Sequence, residues 1–324
     1  MKGVLSLLIY FIFLSIASAQ VDSTYIKSFD KKYAVEFYTP VKSLAVEYTL
    51  SNGDVIALEP NSPTGIGVGF AWKNSGVYYT FNVPLSNGSN GQKSSVTDFQ
   101  YHHYADSFTV DLYYQRYRGF GIASNSEVQS QEFYPEMKVN MYGGTVQFIK
   151  NYKKYSIGAA QQQSKIQLKS AGSLLYGVSL FHVKMNGLPT VHEEIVDFDK
   201  ETYNFGPNIG YGYNWVIYKK FYLAAAVTVG INGVVGYNLE TGITKFNIAP
   251  QLTGKTSVGY VSEGWIVSAS SLLNGVYDQF SSNYDSKLFG TTFSFSIIKR
   301  FDMKKELGIF KKDLIDYLKK DETK

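Results

Sequence analysis

From Tyr33 to Phe301 apolar and polar residues alternate, in segments of about ten residues separated by polar turns, and helical rhythm is almost absent. The first hairpin tests this pattern internally. Ile66, Val68, Phe70 and Trp72 alternate with Gly65, Gly67, Gly69 and Ala71, and Val77, Tyr79, Phe81 and Val83 follow the turn. A two-residue loop at Asn74-Ser75 sets Trp72 opposite Val77 and Phe70 opposite Tyr79, so the apolar faces coincide. A slip of one residue would set every large side chain against the glycine face.

The second hairpin, around Ala105-Asp106, behaves the same way. It places Phe99 opposite Leu112, Tyr101 opposite Val110 and His103 opposite Phe108 on one face, with Asp98 opposite Tyr113, Gln100 opposite Asp111 and His102 opposite Thr109 on the other. A soluble sandwich buries the greasy face, whereas a barrel turns it to lipid and keeps the polar face in the lumen. On the barrel reading Phe70 and Phe81 face outward and Gly67 and Asn82 inward, and Gly67 should accept serine.

Further alternating segments run from Met137 to Phe148, Lys154 to Gln163, Asn208 to Val216, Phe221 to Ile231, Thr244 to Tyr260, Trp265 to Val276 and Leu288 to Phe301. With Tyr33 to Tyr48 as the first strand they predict an all-β fold, a closed antiparallel transmembrane β-barrel of about 12 strands. Ser173 to Lys184 also alternates and upsets the order of short and long connections. Either part of Gln161 to Lys184 folds into the lumen, or another element is misassigned and the count is about 14. Short turns such as Asn151-Tyr152 and Tyr218-Lys219-Lys220 contrast with long connections such as Ser86 to Lys93, Ser124 to Glu136 and Asn186 to Thr202, the asymmetry of periplasmic turns and outer loops.

The last strand sets Phe289, Phe293, Phe295, Ile297 and Phe301 on one face and ends in an aromatic residue, a form read by the outer-membrane assembly machinery. Beyond it Leu307, Phe310, Leu314, Tyr317 and Leu318 recur at helical spacing, predicting a short C-terminal amphipathic helix in a periplasmic tail, 302–324. One reading docks the tail on a periplasmic partner or the membrane surface. The other leaves it frayed and solvated, since short helices are marginal alone.

The chain starts with a charge at Lys2, an apolar run from Val4 to Leu14 and the small-residue box Ala17-Ser18-Ala19, the parts of a signal peptide spanning 1–19. Residues 20–32 then form a periplasmic N-terminal segment and 33–301 the barrel. No later stretch reaches the roughly 20 apolar residues of a spanning helix, so membrane residence requires a barrel or a surface location. The 27 Tyr, 22 Phe, 3 Trp and 29 Gly against 18% charged residues suit a lipid-facing barrel with aromatic belts. Its expected location is the cell outer membrane and its first partner the lipid bilayer. With no cysteine there is no disulfide, thiolate metal site, thiol nucleophile or cysteine-linked lipid, and a net charge of +4 is too weak to argue for nucleic acid.

Four segments carry a family resemblance: Pro60-Asn61-Ser62-Pro63 through Phe70, Asp98-Phe99-Gln100 through Asp111-Leu112-Tyr113-Tyr114-Gln115-Arg116-Tyr117-Arg118-Gly119-Phe120, Lys169-Ser170-Ala171-Gly172-Ser173, and Gly210-Tyr211-Gly212-Tyr213-Asn214-Trp215. In these the chain resembles the domain of unknown function 4421 family, over most of its mature length. That resemblance implies an outer-membrane-type barrel of Gram-negative bacteria and carries no assigned activity and no catalytic residue.

Four histidines raise the question of a metal. His102 and His103 are strand neighbours pointing to opposite faces, and His182 and His192 lie in other elements, so no metal site and no cofactor is expected. The luminal polar cluster Asp98, Gln100, His102, Asp111 and Gln115 could shift its own proton affinities and act as acid and base, or simply be the hydrogen-bonded filling of a barrel interior. No serine stands beside His102 to complete an acyl-hydrolase triad. Arg116 and Arg118 share phase with Leu112 and Tyr114 and so point outward near the outer rim, where lipopolysaccharide phosphates or water would receive them. Three functional classes follow: a non-enzymatic pore or envelope scaffold, a barrel enzyme acting on lipid or lipopolysaccharide through the Asp/His cluster, and, ranked third, an adhesin-like display barrel using the long outer loops.

Overall fold

The computed structural model describes residues 20–61, 64–83, 93–123, 132–192, 199–278, 285–304, 308–310 and 313. The expected signal peptide, 1–19, lies outside them. In chain order the strands are β1 Ile26–Ser28, β2 Tyr33–Thr49, β3 Val55–Glu59, β4 Gly65–Trp72, β5 Ser75–Asn82, β6 Ser95–Tyr104, β7 Phe108–Ile122, β8 Phe133–Ile149, β9 Lys165–Gln167, β10 Ala171–Asn186, β11 Lys200–Ile217, β12 Phe221–Asn238, β13 Thr244–Val261, β14 Trp265–Asp278 and β15 Asp285–Phe301. All but β1 and β9 belong to one 13-stranded antiparallel sheet, and β15 pairs with β2 along its whole length, so the sheet closes on itself. The ring has 12 strands, the expected number.

The short β3 makes the ring uneven. The first half of β2 pairs with β4 (Tyr33↔Trp72 to Tyr38↔Gly67), its last part pairs with β3 (Val46↔Leu58 to Thr49↔Val55), and β3 also meets β7 at Leu58↔Ile122. Three strands, β4 to β6, thus give way to one, and the ring of 12 narrows to ten at the end away from the chain termini. The step is sealed where Ser94 Oγ donates to the Gly119 carbonyl at 2.6 Å and the Asn61 amide donates to Ser94 Oγ at 2.8 Å. Gly119 has φ +80° at the register shift between Arg118 and Phe120, a backbone conformation that a Cβ would strain.

Three sequence expectations are corrected. The stretch Lys154 to Gln163 is not a wall strand: Gly158–Gln162 forms a π-helical turn inside the ring, and the wall strand is the one that upset the count, now β10. Tyr155 and Ile157 alternate because they pack on luminal Tyr104, Ile149 and Leu175, while Gly158, Ala159 and Ala160 are small enough to coil within the lumen. The 14-strand alternative therefore falls. Both hairpin registers are displaced by two residues: the first turn is Lys73-Asn74, giving Phe70↔Val77, and the second is longer, giving Phe99↔Tyr114, Gln100↔Tyr113 and His102↔Asp111. An even shift leaves every side chain on its expected face. Of the expected C-terminal helix, only a 3-10 turn, Gly308–Phe310, is seen; 311–312 and 314–324 lie outside the described residues.

Outward side chains are predominantly apolar all round the ring, Ile231 and Ile248 being 64% and 65% exposed. Inward, the lumen is filled at both ends. Away from the termini, Leu44, Val46, Tyr48, Leu58, Tyr117, Val139, Val183, Met185 and Leu288 form one buried cluster. At the terminal end the π-helical turn and the β1–β9 ribbon close the ring. Ser257 Oγ donates to Ala160 O at 2.6 Å, Asn214 Nδ2 to Ser156 O at 2.8 Å and Arg300 Nη1 to Gln163 O at 3.0 Å. Ion pairs Lys27–Glu263 (2.5 Å) and Lys165–Asp106 tie this plug to the rim turns.

Candidate functional site

The β6–β7 hairpin presents every second residue to the lumen, and this parity aligns Asp98, Gln100 and His102 on β6 with Gln115 and Asp111 on β7. His102 Nδ1 lies 2.6 Å from Asp111 Oδ1, and Nε2 lies 2.9 Å from Gln100 Oε1. Gln100 Nε2 donates to Asp98 Oδ2 at 2.7 Å, and Gln115 Nε2 to the same oxygen at 3.3 Å. The five predicted residues thus form one hydrogen-bonded chain. Its electrostatics depend on two lysines that sequence reasoning did not single out. Lys42 pairs with fully buried Asp98, and Lys255 Nζ lies 2.9 Å from Asp111 Oδ2. Tyr104 adds a donor to Asp111 Oδ1 at 2.7 Å.

These contacts limit the chemistry. The Gln100 amide is oriented by its bond to Asp98, so its oxygen faces the ring, and both nitrogens of His102 are engaged. Both ring nitrogens are held by neighbours within the cluster, and Asp111 has three partners, His102, Tyr104 and Lys255. The signal that could have identified the lysines is phase: Lys42 shares parity with inward Tyr38 and Leu44, and Lys255 with inward Gln251 and Ser257.

Outside the ring, Arg116 and Arg118 are exposed on β7, beyond Leu112 and Tyr114 from the terminal end. Arg118 Nη2 bonds Glu136 Oε1 at 3.0 Å, and Lys138 Nζ lies 3.7 Å from the other oxygen of Glu136. His182 is sandwiched between Tyr142 and Tyr203, both centroids at 4.5 Å, with Nε2 3.6 Å from Glu201. His103, on the outer face near the terminal end, is buried rather than lipid-exposed. Its Nδ1 lies 3.1 Å from Ser75 Oγ, which donates to Asp313 Oδ1 at 3.0 Å. Here serine stands between histidine and carboxylate, not at the end of a triad, and the arrangement anchors the tail. Among the described residues no three His, Asp or Glu side chains converge as a metal site.

The lumen between the two closures holds a cavity of about 110 Å³, reached by Asp111, Gln115, Gln147, Asn204, Asn208, Gln251 and Lys255 on its polar side and by Phe181, Val183 and Met185 on its apolar side. Sequence reasoning had no signal for it, because its walls come from strands far apart in the chain.

Among solved structures the chain is similar to the P. putida toluene transporter TodX (7% identity over 84% of this chain and 91% of that one, TM-score 0.31). It is also similar to a bacterial polysaccharide outer membrane secretin (8%, 84% and 99%, TM-score 0.38) and to the beta domain of the Bordetella autotransporter Brka (9%, 83% and 100%, TM-score 0.38). Comparison with curated protein sequences finds no match. Residues 20–301 match the family model described as a domain of unknown function, DUF4421, and the chain belongs to that family.

Proposed function

We propose that this protein is an exported outer-membrane barrel that serves as a closed, non-enzymatic envelope scaffold. The observation that carries the reading is the lumen filled at both ends: an apolar plug of wall side chains at one, and the π-helical turn with the β1–β9 ribbon at the other. The outward apolar face supports residence in lipid, since soluble monomers rarely expose contiguous apolar patches above a few hundred Å². The end holding the termini and the short turns faces the periplasm. Arg116, Arg118 and Lys138 stand at the opposite rim, where they offer contacts to lipopolysaccharide phosphates. The test is fractionation with outer membranes as a heat-modifiable species, followed by planar-bilayer recording. The expected result is a membrane without steady conductance; a constant open-channel current would overturn the scaffold reading, and a soluble periplasmic monomer the barrel's location.

A further inference from the structure

We propose that the luminal cavity is a binding site for a small neutral amphiphile, a molecule with a hydroxyl or amide N–H donor at one end and an apolar group at the other.

Charge comes first. Each charged side chain at the cavity is already engaged: Asp111 with Lys255, Lys287 with Glu47 at 2.5 Å, and Lys200 within the chain. A charged ligand would therefore be desolvated with no countercharge to meet it, which low-dielectric surroundings penalise heavily.

The amides come second, because their hydrogen bonds fix what remains free. Gln147 Nε2 donates to Asn208 Oδ1 at 3.1 Å, and Asn208 Nδ2 to Ser179 Oγ at 3.0 Å, so Asn208 is used at both ends. Asn204 Nδ2 donates to Thr202 Oγ1 at 3.1 Å, and Asn232 Nδ2 to Gln251 Oε1 at 3.2 Å. Asn204 lines the cavity, and its carbonyl oxygen Oδ1 is left buried with no hydrogen-bond partner. Unmet buried acceptors are costly, so they ask for a donor.

Shape completes the assignment. Asn204 pairs with Phe181 on one neighbouring strand and Val234 on the other, so this residue stands where polar lining gives way to apolar. The apolar side continues through Val183, Met185 and Leu288. A cavity of 110 Å³ has room on the order of four waters at about 30 Å³ each, hence for a ligand of about four or five heavy atoms.

The inference rests on the closed lumen proposed above, but its readout is separate: an open bore appears as conductance, whereas absent binding does not. Full-length mature protein is refolded from urea into detergent with 1-butanol, butanoate or butylammonium at equal concentration, and loss of the heat-modifiable form is followed with temperature. The alcohol should raise the wild-type midpoint by about 2–4 °C and the two ions should not. Asn204→Leu, which removes the acceptor, and Val183→Phe, which fills the apolar side, should each abolish the rise; either one suffices if the other fails to fold. No rise in the wild type, an equal rise in the folded variants, or an equal effect of the ions would overturn the site.

Discussion

Lys255 on β13 reaches across the lumen to Asp111 on β7, Nζ to Oδ2 2.9 Å. The two strands stand nearly opposite in the ring, with β8, β10, β11 and β12 between them, so this pair is a strut across the barrel. The strut is buried on the carboxylate side, 3% exposed, and more open at the lysine, 18%. Asp111→Asn leaves the Lys255 ammonium without its countercharge. The expected cost is about 3 kcal/mol, the low end for breaking a buried pair because Lys255 keeps some solvent. Urea unfolding of the heat-modifiable form measures it. With Lys255→Met measured alone, Asp111→Asn combined with Lys255→Met should cost less than the sum of the two single losses; a double variant whose loss equals that sum would mean that the strut carries no coupling.

Gly67 gives a prediction opposite to the one drawn from alternation alone. Its inward face is covered by the ring of Tyr38, which a Cβ at Gly67 would overlap, and Gly69 meets Tyr78 in the same way, 2.5 Å from Cδ1. The luminal glycines are thus seats for tyrosine rings, not idle positions facing water. Gly67→Ser should cost about 1–3 kcal/mol by overpacking, and adding Tyr38→Ala should recover part of it. A melting midpoint for Gly67→Ser equal to wild type would show that Tyr38 swings aside freely.

This contrast marks how far the sequence could be read. The faces of the long strands were legible because alternation carried through both arms of a hairpin fixes which side is apolar, and parity survives an error of two in loop length. The strand β3 was not, since Ile56, Ala57 and Leu58 are all buried and leave no alternation to detect. The luminal turn was misread because Tyr155 and Ile157 keep the parity of a strand while packing inside the ring. Asp98, Gln100, His102, Asp111 and Gln115 could be gathered because one hairpin carries them. Lys255 lies 144 positions from Asp111, and only ring closure brings them together.

Lys27 and Glu263 tie the N-terminal ribbon to the β13–β14 turn at 2.5 Å, both outside the spanning strands. The Lys27 ammonium donates to the Glu263 carboxylate and holds it below the ordinary carboxylate value of 4.5. A carboxyl whose folded value is depressed contributes fully above its unfolded value, and the contribution is lost as pH falls through the folded one. The ribbon should therefore be firmly held at neutral pH and loosen as pH drops below 4.5. Both side chains are well exposed, so the change should be local, with little effect on the barrel's melting. Pepsin cleavage within residues 20–32 should rise on acidification in wild type, and Glu263→Gln should already be sensitive at the upper end of the pepsin range. Identical cleavage profiles for the two proteins would remove Glu263 from the tether.

At the terminal end, Phe310 and Asp313 lie against the outer wall. Phe310 packs on Phe70 at 5.0 Å, Trp72 at 5.3 Å and Tyr33 at 6.1 Å between ring centroids, and Trp72 is only 4% exposed despite pointing outward. Three residues on, Asp313 accepts from the Asn74 amide at 3.2 Å and from Ser75 Oγ at 3.0 Å, across the same β4–β5 turn. Phe70 is therefore covered by the protein's own tail and not by lipid alone. Phe310→Ala should cost about 2 kcal/mol, below the ~3–5 of a fully buried Phe, because detergent or lipid can cover part of the vacated surface. For the same reason Trp72 fluorescence is a weak reporter, and release of the tail is the sharper one. Trypsin should cut the lysines after Asp302 faster in Phe310→Ala than in wild type, and faster still with Asp313→Ala added, while the barrel from β2 to β15 stays intact. Equal cleavage in all three proteins would mean that the aromatic seat and the Asp313 bonds do not hold the tail to the wall.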